Sequence, residues 1–98
     1  MKTVREDGKV TFFAEGRIDT NHAQQFAEEL EQALEGAEEF ILDFSGVDYI
    51  SSSGLRAVMR AIKTMDRQGS MRIVNVNEEM YELLEVTSFT GIAEVERA

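Results

Sequence analysis

Phe40-Ile41-Leu42-Asp43-Phe44-Ser45-Gly46-Val47-Asp48-Tyr49-Ile50-Ser51-Ser52-Ser53-Gly54-Leu55 is the stretch that decides how this chain folds. Phe40 to Phe44 is an apolar run of strand length, and it predicts a central strand buried on both faces, as in a parallel sheet. Ser45 to Ile50 leads out of that strand. Ser51-Ser52-Ser53-Gly54 then precedes a helical pattern carried by Leu55, Val58, Met59, Ile62 and Met65 and closed by Gly69. A strand that feeds a helix calls for a crossover, and a crossover calls for parallel neighbours.

Working outward, the flanks repeat the alternation. Upstream, Thr3 to Glu6 and Lys9 to Glu15 read as strands joined at Asp7-Gly8, a hairpin turn signal. Gly16 is expected to end the second strand and open a loop, Arg17-Ile18-Asp19-Thr20-Asn21. Asp19, Thr20 and Asn21 are all good helix caps. Ala23, Phe26, Ala27, Leu30, Ala33, Leu34 and Ala37 then recur at helical spacing, with Gly36 near the helix end. Downstream, Met71 to Val76 predicts a strand, and Met80, Leu83 and Leu84 mark a third helix. Thr87 to Gly91 reads as a turn or short helix, and Ile92 to Val95 as a last strand. The order is ββαβαβαβ, which predicts one α/β domain over residues 1–98. Its sheet is mixed, mostly parallel and four- to five-stranded, with helices mainly on one face.

Composition narrows the function. The chain has 98 residues, 43% of them hydrophobic, enough for one core and little more. It has no cysteine and no proline, so disulfides, thiolate chemistry and proline-shaped loops are absent. No apolar run is long enough to cross a bilayer, and the first residues have no signal-peptide core, so a soluble cytoplasmic protein is the expectation. A net charge of −9 disfavours phosphate backbones and anionic lipid as partners, so neither nucleic acid nor membrane insertion is expected.

Catalytic machinery is hard to assemble. The one histidine, His22, has no second histidine for a metal site or a relay. Gly46, Gly54, Gly69 and Gly91 do not form a phosphate-cradling loop with a lysine. No enzyme activity, cofactor or metal is expected. The three serines remain. On the structural reading one of them is an N-cap and the others populate a turn. On the functional reading a helix start, with its free N–H groups and partial positive charge, accommodates an added phosphate and makes the loop a charge switch.

Asp43-x-Ser45-x-Val47-x-x-Ile50-x-Ser52-Ser53-Gly54-Leu55 resembles the signature of the STAS family, named for sulfate transporters and anti-sigma factor antagonists. Gly16-Arg17-Ile18-Asp19 before a helix with Ala23 is similar to a second block of that family. Leu83 and Leu84, with Phe89-Thr90-Gly91-Ile92 ahead of the last strand, are similar to its tail. The resemblance implies a STAS-like fold and a stand-alone antagonist that binds an anti-sigma factor with serine kinase activity. That kinase would phosphorylate Ser53, the serine before the glycine, and a PP2C-type phosphatase would reverse the step. Unphosphorylated, the protein docks; phosphorylated, it releases. Ser52 is the second choice of acceptor. Many antagonists carry aspartate where this chain has Ser51, so its kinase contacts differ from theirs.

The resemblance also implies that Asp19 takes part in recognition by the kinase, while its local reading is a helix cap. By spacing alone, Arg56, Arg60, Lys63 and Arg67 share one side of the second helix, roughly opposite its apolar stripe. They are either a solvated face paired with Glu28, Glu31 and Glu35 or a docking stripe for an acidic partner. The expected docking surface is thus Asp19, Ser51, Ser52, Ser53, Gly54, Arg56, Arg60 and Lys63, on a chain that is a monomer when free. Met59, Met65, Phe12, Phe13 and Phe26 read as core, and Tyr49 as either a contact or a core lid. The resemblance also allows a second function, a cytoplasmic subunit of a lipid or anion transport assembly, and a third of a different class is a small nucleotide binder using the loop near Asp19 and Ser53.

Overall fold

The computed structural model describes all 98 residues. β1 (Lys2–Glu6) and β2 (Lys9–Ile18) form the expected hairpin, with Asp7 at φ 56° in the turn, a left-handed conformation that aspartate tolerates. α1 (Ala23–Leu34), β3 (Glu39–Ile50), α2 (Ser52–Gln68), β4 (Ser70–Val76) and α3 (Glu78–Val86) follow. A single 3₁₀ turn (Phe89–Gly91) then leads to β5 (Glu94–Arg97). The five strands lie in the order β1-β2-β3-β4-β5. Only the first pair is antiparallel.

Each parallel crossover steps one strand in the same direction, and the right-handed rule therefore puts all three helices on one face. The packing agrees. Val10, Phe12 and Ala14 of β2, Phe40, Leu42 and Phe44 of β3 and Ile73 of β4 share one core with Phe26, Leu30, Val58, Ile62, Met65, Met80 and Leu84 of the helices. Phe12 sits at its centre, 6.2 Å from the Phe26 ring and 6.5 Å from the Phe40 ring. Burying an aromatic or aliphatic side chain this fully stabilises by about 1.5–3 kcal/mol. Alternation along β2 sends Phe13 to the opposite face, where it is half-buried, so it is not part of this core as its sequence reading had it.

The main departures from the sequence reading are at strand ends. β2 does not stop at Gly16, and Ser45 to Ile50 is not an exit loop. The two segments pair with each other, Glu15 with Gly46, Gly16 with Val47, Arg17 with Tyr49 and Ile18 with Ile50, across two irregularities in register. Gly16, at φ 83°, allows the bend that this bulged pairing needs. At the other end of the chain β5 begins at Glu94. The N–H groups of Ile92 and Ala93 are held by the Phe89 carbonyl, at 3.1 and 3.0 Å, and so are unavailable to a strand ladder. α1 stops at Leu34, ahead of Gly36 at φ 72°. Its last carbonyls are satisfied from outside: the Arg5 guanidinium donates to Gln32, Ala33 and Glu35, and the Gln68 amide donates to Leu34 and Ala37.

Candidate functional site

β2 and β3 end side by side, and the Ser51 N–H donates to the Ile18 carbonyl at 2.8 Å. This bond sets the start of α2 against the turn that precedes α1. Because β2 and β3 are parallel, α1 and α2 both begin at the carboxyl edge of the sheet, the edge at which open α/β sheets carry their sites.

The four residues Ser51-Ser52-Ser53-Gly54 divide into two kinds. Ser51 is buried, and its Oγ accepts from the Gly54 N–H at 3.2 Å as the N-cap of α2. Gly54 is buried too. A Cβ there would stand 2.6 Å from Ile50 Cγ1 and 3.0 Å from Ile18 Cγ2, so only glycine lets the helix seat on the strand ends. These two residues shape the loop from beneath and offer little to solvent. The hydroxyls of Ser52 and Ser53 bond to nothing within the chain, and neither is needed to hold the helix.

Ser52 and Ser53 open onto different surfaces. Ser53 is half-buried in a groove between α1 and α2, lined also by Thr20, Gln24, Arg56 and Arg60. Ser52 is exposed beside a mostly apolar depression formed by Leu55, Met59, Thr87 and Phe89, with Arg56 shared between the two surfaces. Spacing alone had assigned Met59 to the core; it is half-buried and lines this depression, whereas Met65 is fully buried. Thr20, Gln24, Thr87 and Phe89 were not among the site residues expected from the sequence, where Thr20, Thr87 and Phe89 read as cap and turn residues. They come from other elements, and no spacing links them to the serines.

Arg56, Arg60, Lys63 and Arg67 are all exposed, and none has a carboxylate within 4.0 Å. The ion pairs with Glu28, Glu31 and Glu35 that a solvated face could have made are not formed. Elsewhere every lysine and arginine but Lys2 has a partner: Lys9, Arg17, Arg72 and Arg97 face carboxylates, and Arg5 caps α1. The basic stripe of α2 stands out against that background.

Asp19 lies on the α1 side of the site. Its Oδ1 accepts from the His22 N–H at 3.1 Å and lies 2.7 Å from His22 Nδ1, so it closes the turn that starts α1. The hydrogen bond from the His22 ring is the main cause that holds the Asp19 carboxyl below its ordinary range. Arg17 stands 3.9 Å from Asp19 Oδ2 and lies over the Tyr49 ring at 4.1 Å. Tyr49 is thereby an exposed face beside the site, 41% accessible, and not a core lid. Asp43, although within the serine-loop signature, is structural: it accepts from Ser45 N–H at 2.8 Å and from Asn75 Nδ2 at 2.9 Å, tying β3 to β4.

No helix is long and apolar enough to cross a membrane, and no cluster of three or more histidine, cysteine or acidic side chains is placed to hold a metal ion. A family model described as STAS domain matches residues 1–97. A candidate anti-sigma factor antagonist of Bordetella bronchiseptica, BtrV, is 31% identical over 88 residues, which span 88% of this chain and 76% of that protein. The anti-sigma-B factor antagonist of Listeria monocytogenes is 29% identical over 94 residues, covering 93% of this chain and 82% of that one. Among solved structures, an anti-sigma factor antagonist from Mycobacterium paratuberculosis superposes with a TM-score of 0.89 at 14% identity, over 99% of this chain and 84% of its own.

Proposed function

The chain belongs to the STAS domain family, and from that premise we propose that it is an anti-sigma factor antagonist switched by phosphorylation of Ser53. It binds an anti-sigma factor with serine kinase activity while Ser53 is free, and it releases that partner when Ser53 carries phosphate. The relatives named as antagonists support the class of function. The observation that carries the switch is the division within the serine loop: Ser51 and Gly54 are used by the fold, and the hydroxyls of Ser52 and Ser53 are not.

Between the two free serines, the surroundings favour Ser53. A phosphate adds roughly −1.5 to −2 charges. On Ser53 that charge enters a groove lined by Arg56 and Arg60, while the exposed Ser52 borders a mostly apolar depression that Arg56 but not Arg60 lines. In the transfer, Ser53 Oγ forms a bond to the γ-phosphorus of ATP as the bond from that phosphorus to the β–γ bridging oxygen breaks. ADP leaves, and the hydroxyl proton passes to a base of the kinase. Hydrolysis by a PP2C-type phosphatase restores the hydroxyl.

Docking uses the surface from Asp19 and Ser53 along Arg56, Arg60 and Lys63. An acidic patch on the partner fits it, and a phosphate set against such a patch brings like charges together. That contact costs several kcal/mol, enough to change affinity by orders of magnitude. The test is a binding titration of the partner with wild type, Ser53→Ala and Ser53→Asp, alongside labelling of each with ATP. Wild type and Ser53→Ala are expected to bind, only wild type to be labelled, and Ser53→Asp to bind far more weakly. Equal affinity for all three, or labelling that survives Ser53→Ala, rules this function out.

A further inference from the structure

We infer that Arg56 and Arg60, which share one groove with Ser53, bind the Ser53 phosphate within the same chain and are withdrawn from the docking surface when it is added. This rests on the reading of Ser53 as the phosphorylated residue, and it concerns what the phosphate does next.

At about 100° per residue, Arg60 returns to within about 20° of Ser53 around the α2 axis, and Arg56 lies about 60° away. Helical side chains lean toward the N-terminus, so both guanidinium groups lean back toward Ser53. Lys63 and Arg67 begin about 15 Å or more further along the axis and lie beyond reach. Neither arginine is held by another group: no carboxylate lies within 4.0 Å of them, and they make no hydrogen bond elsewhere in the chain. Thr20 supplies a hydroxyl on the α1 wall of the same groove, where the Gln24 amide donates to Glu28 Oε1 at 3.2 Å. The first turn of α2 holds no acidic side chain that would oppose an anion. Three acids border the groove: Asp19 adjoins Thr20, Glu28 accepts from the Gln24 amide, and Glu31 meets Arg60 further down between the helices, yet none comes within 4.0 Å of Arg56 or Arg60.

Guanidinium groups pair with phosphate through parallel hydrogen bonds, and such charge-assisted bonds are among the stronger polar contacts. The phosphorylated chain therefore both gains a negative charge and loses two free cations. A partner whose carboxylates meet Arg56 and Arg60 would find those positions neutralised even before any repulsion. Lys63 and Arg67 stay free in both states.

The test uses the full chain with phosphoserine installed at position 53 by codon reassignment, which needs no kinase. Phosphorus NMR follows its second ionisation, near 6 in an unstructured peptide. In the folded protein the midpoint is expected about half a pH unit or more lower, because neighbouring cations favour the dianion. Arg56→Gln with Arg60→Gln is expected to return it to the peptide value, and Lys63→Gln to leave it in place. A folded-state midpoint equal to the peptide's, or one that the double substitution does not move, overturns the inference. Failure here leaves the proposed function standing, since that depends on ATP-dependent labelling of unmodified Ser53 by the partner.

Discussion

The two sides of α2 make opposite surfaces from one helix. Toward α1, Ser53, Arg56 and Arg60 meet Thr20 and Gln24 in a polar groove. Toward the 3₁₀ turn, Ser52, Leu55 and Met59 meet Thr87 and Phe89 in an apolar one. Adjacent serines therefore sit in environments that treat a charge differently. A dianion is stabilised where cations and hydrogen-bond donors converge, and at exposed Ser52 it would have water and Arg56 alone. One residue of displacement on a helix, about 100° of rotation, separates the two. On the proposed switch, which serine accepts the phosphate would depend on which neighbouring element each one faces.

That contrast can be broken from either side. Phe89 is 5% exposed and forms the floor of the apolar groove. Phe89→Ala is expected to destabilise by about 3–5 kcal/mol in a denaturant titration. Amide shifts should spread through α3 and the 3₁₀ turn and leave Thr20 and Gln24 unmoved; movement at those two residues would mean that the grooves are not independent. Next in size is Gly54→Ala, which pushes a Cβ into Ile50 and Ile18. An expected loss of about 1–3 kcal/mol should affect both grooves together, because α2 itself is displaced.

Ser51→Ala removes the N-cap bond to Gly54 N–H. Unfolding should become easier by about 1 kcal/mol, while phosphorylation of Ser53 persists. Loss of labelling without loss of stability would make Ser51 a kinase contact and not a cap. The smallest effect concerns Asp19. Its carboxyl is held below the ordinary 3.8 chiefly by the His22 ring. A depressed carboxyl adds stability above its unfolded pKa, and that contribution is lost as pH falls from about 3.8 through the folded value. Side-chain carbon NMR of Asp19 should show a midpoint under 3.8, and His22→Ala should restore it. An unchanged midpoint would remove His22 from the site.

Element order was readable in the sequence because apolar spacing reports burial, and burial is set by the face each element presents. The outer ends of β2 and β3 were not. Glu15 to Ile18 and Gly46 to Ile50 are extended because each is the other's ladder partner; Gly16 and Gly46 break the strand signal, although Val47, Tyr49 and Ile50 are themselves strand formers. The site divides the same way. The resemblance singled out Ser53, and spacing aligned Arg56, Arg60 and Lys63, since these lie on one element. Which of Ser51, Ser52 and Ser53 is the cap depends on the backbone at Ser51, whose φ of −81° and ψ of 170° leave it outside the helix. Thr20, Gln24 and Phe89 could be found only once three separate elements had been brought together.

The Gln68 amide, at the far end of α2, is bonded to the carbonyls of Leu34 and Ala37, and Arg5 grips the neighbouring carbonyls of α1. At the end away from Ser53, α2 is thus tied to the end of α1 through Gln68, and α1 is tied to β1 through Arg5, so the groove is pinned at one end only. A phosphate added at the open end has no lever to pull. On the proposed switch, the phosphate would act through charge on a surface already in place, with no hinge between the helices for it to work.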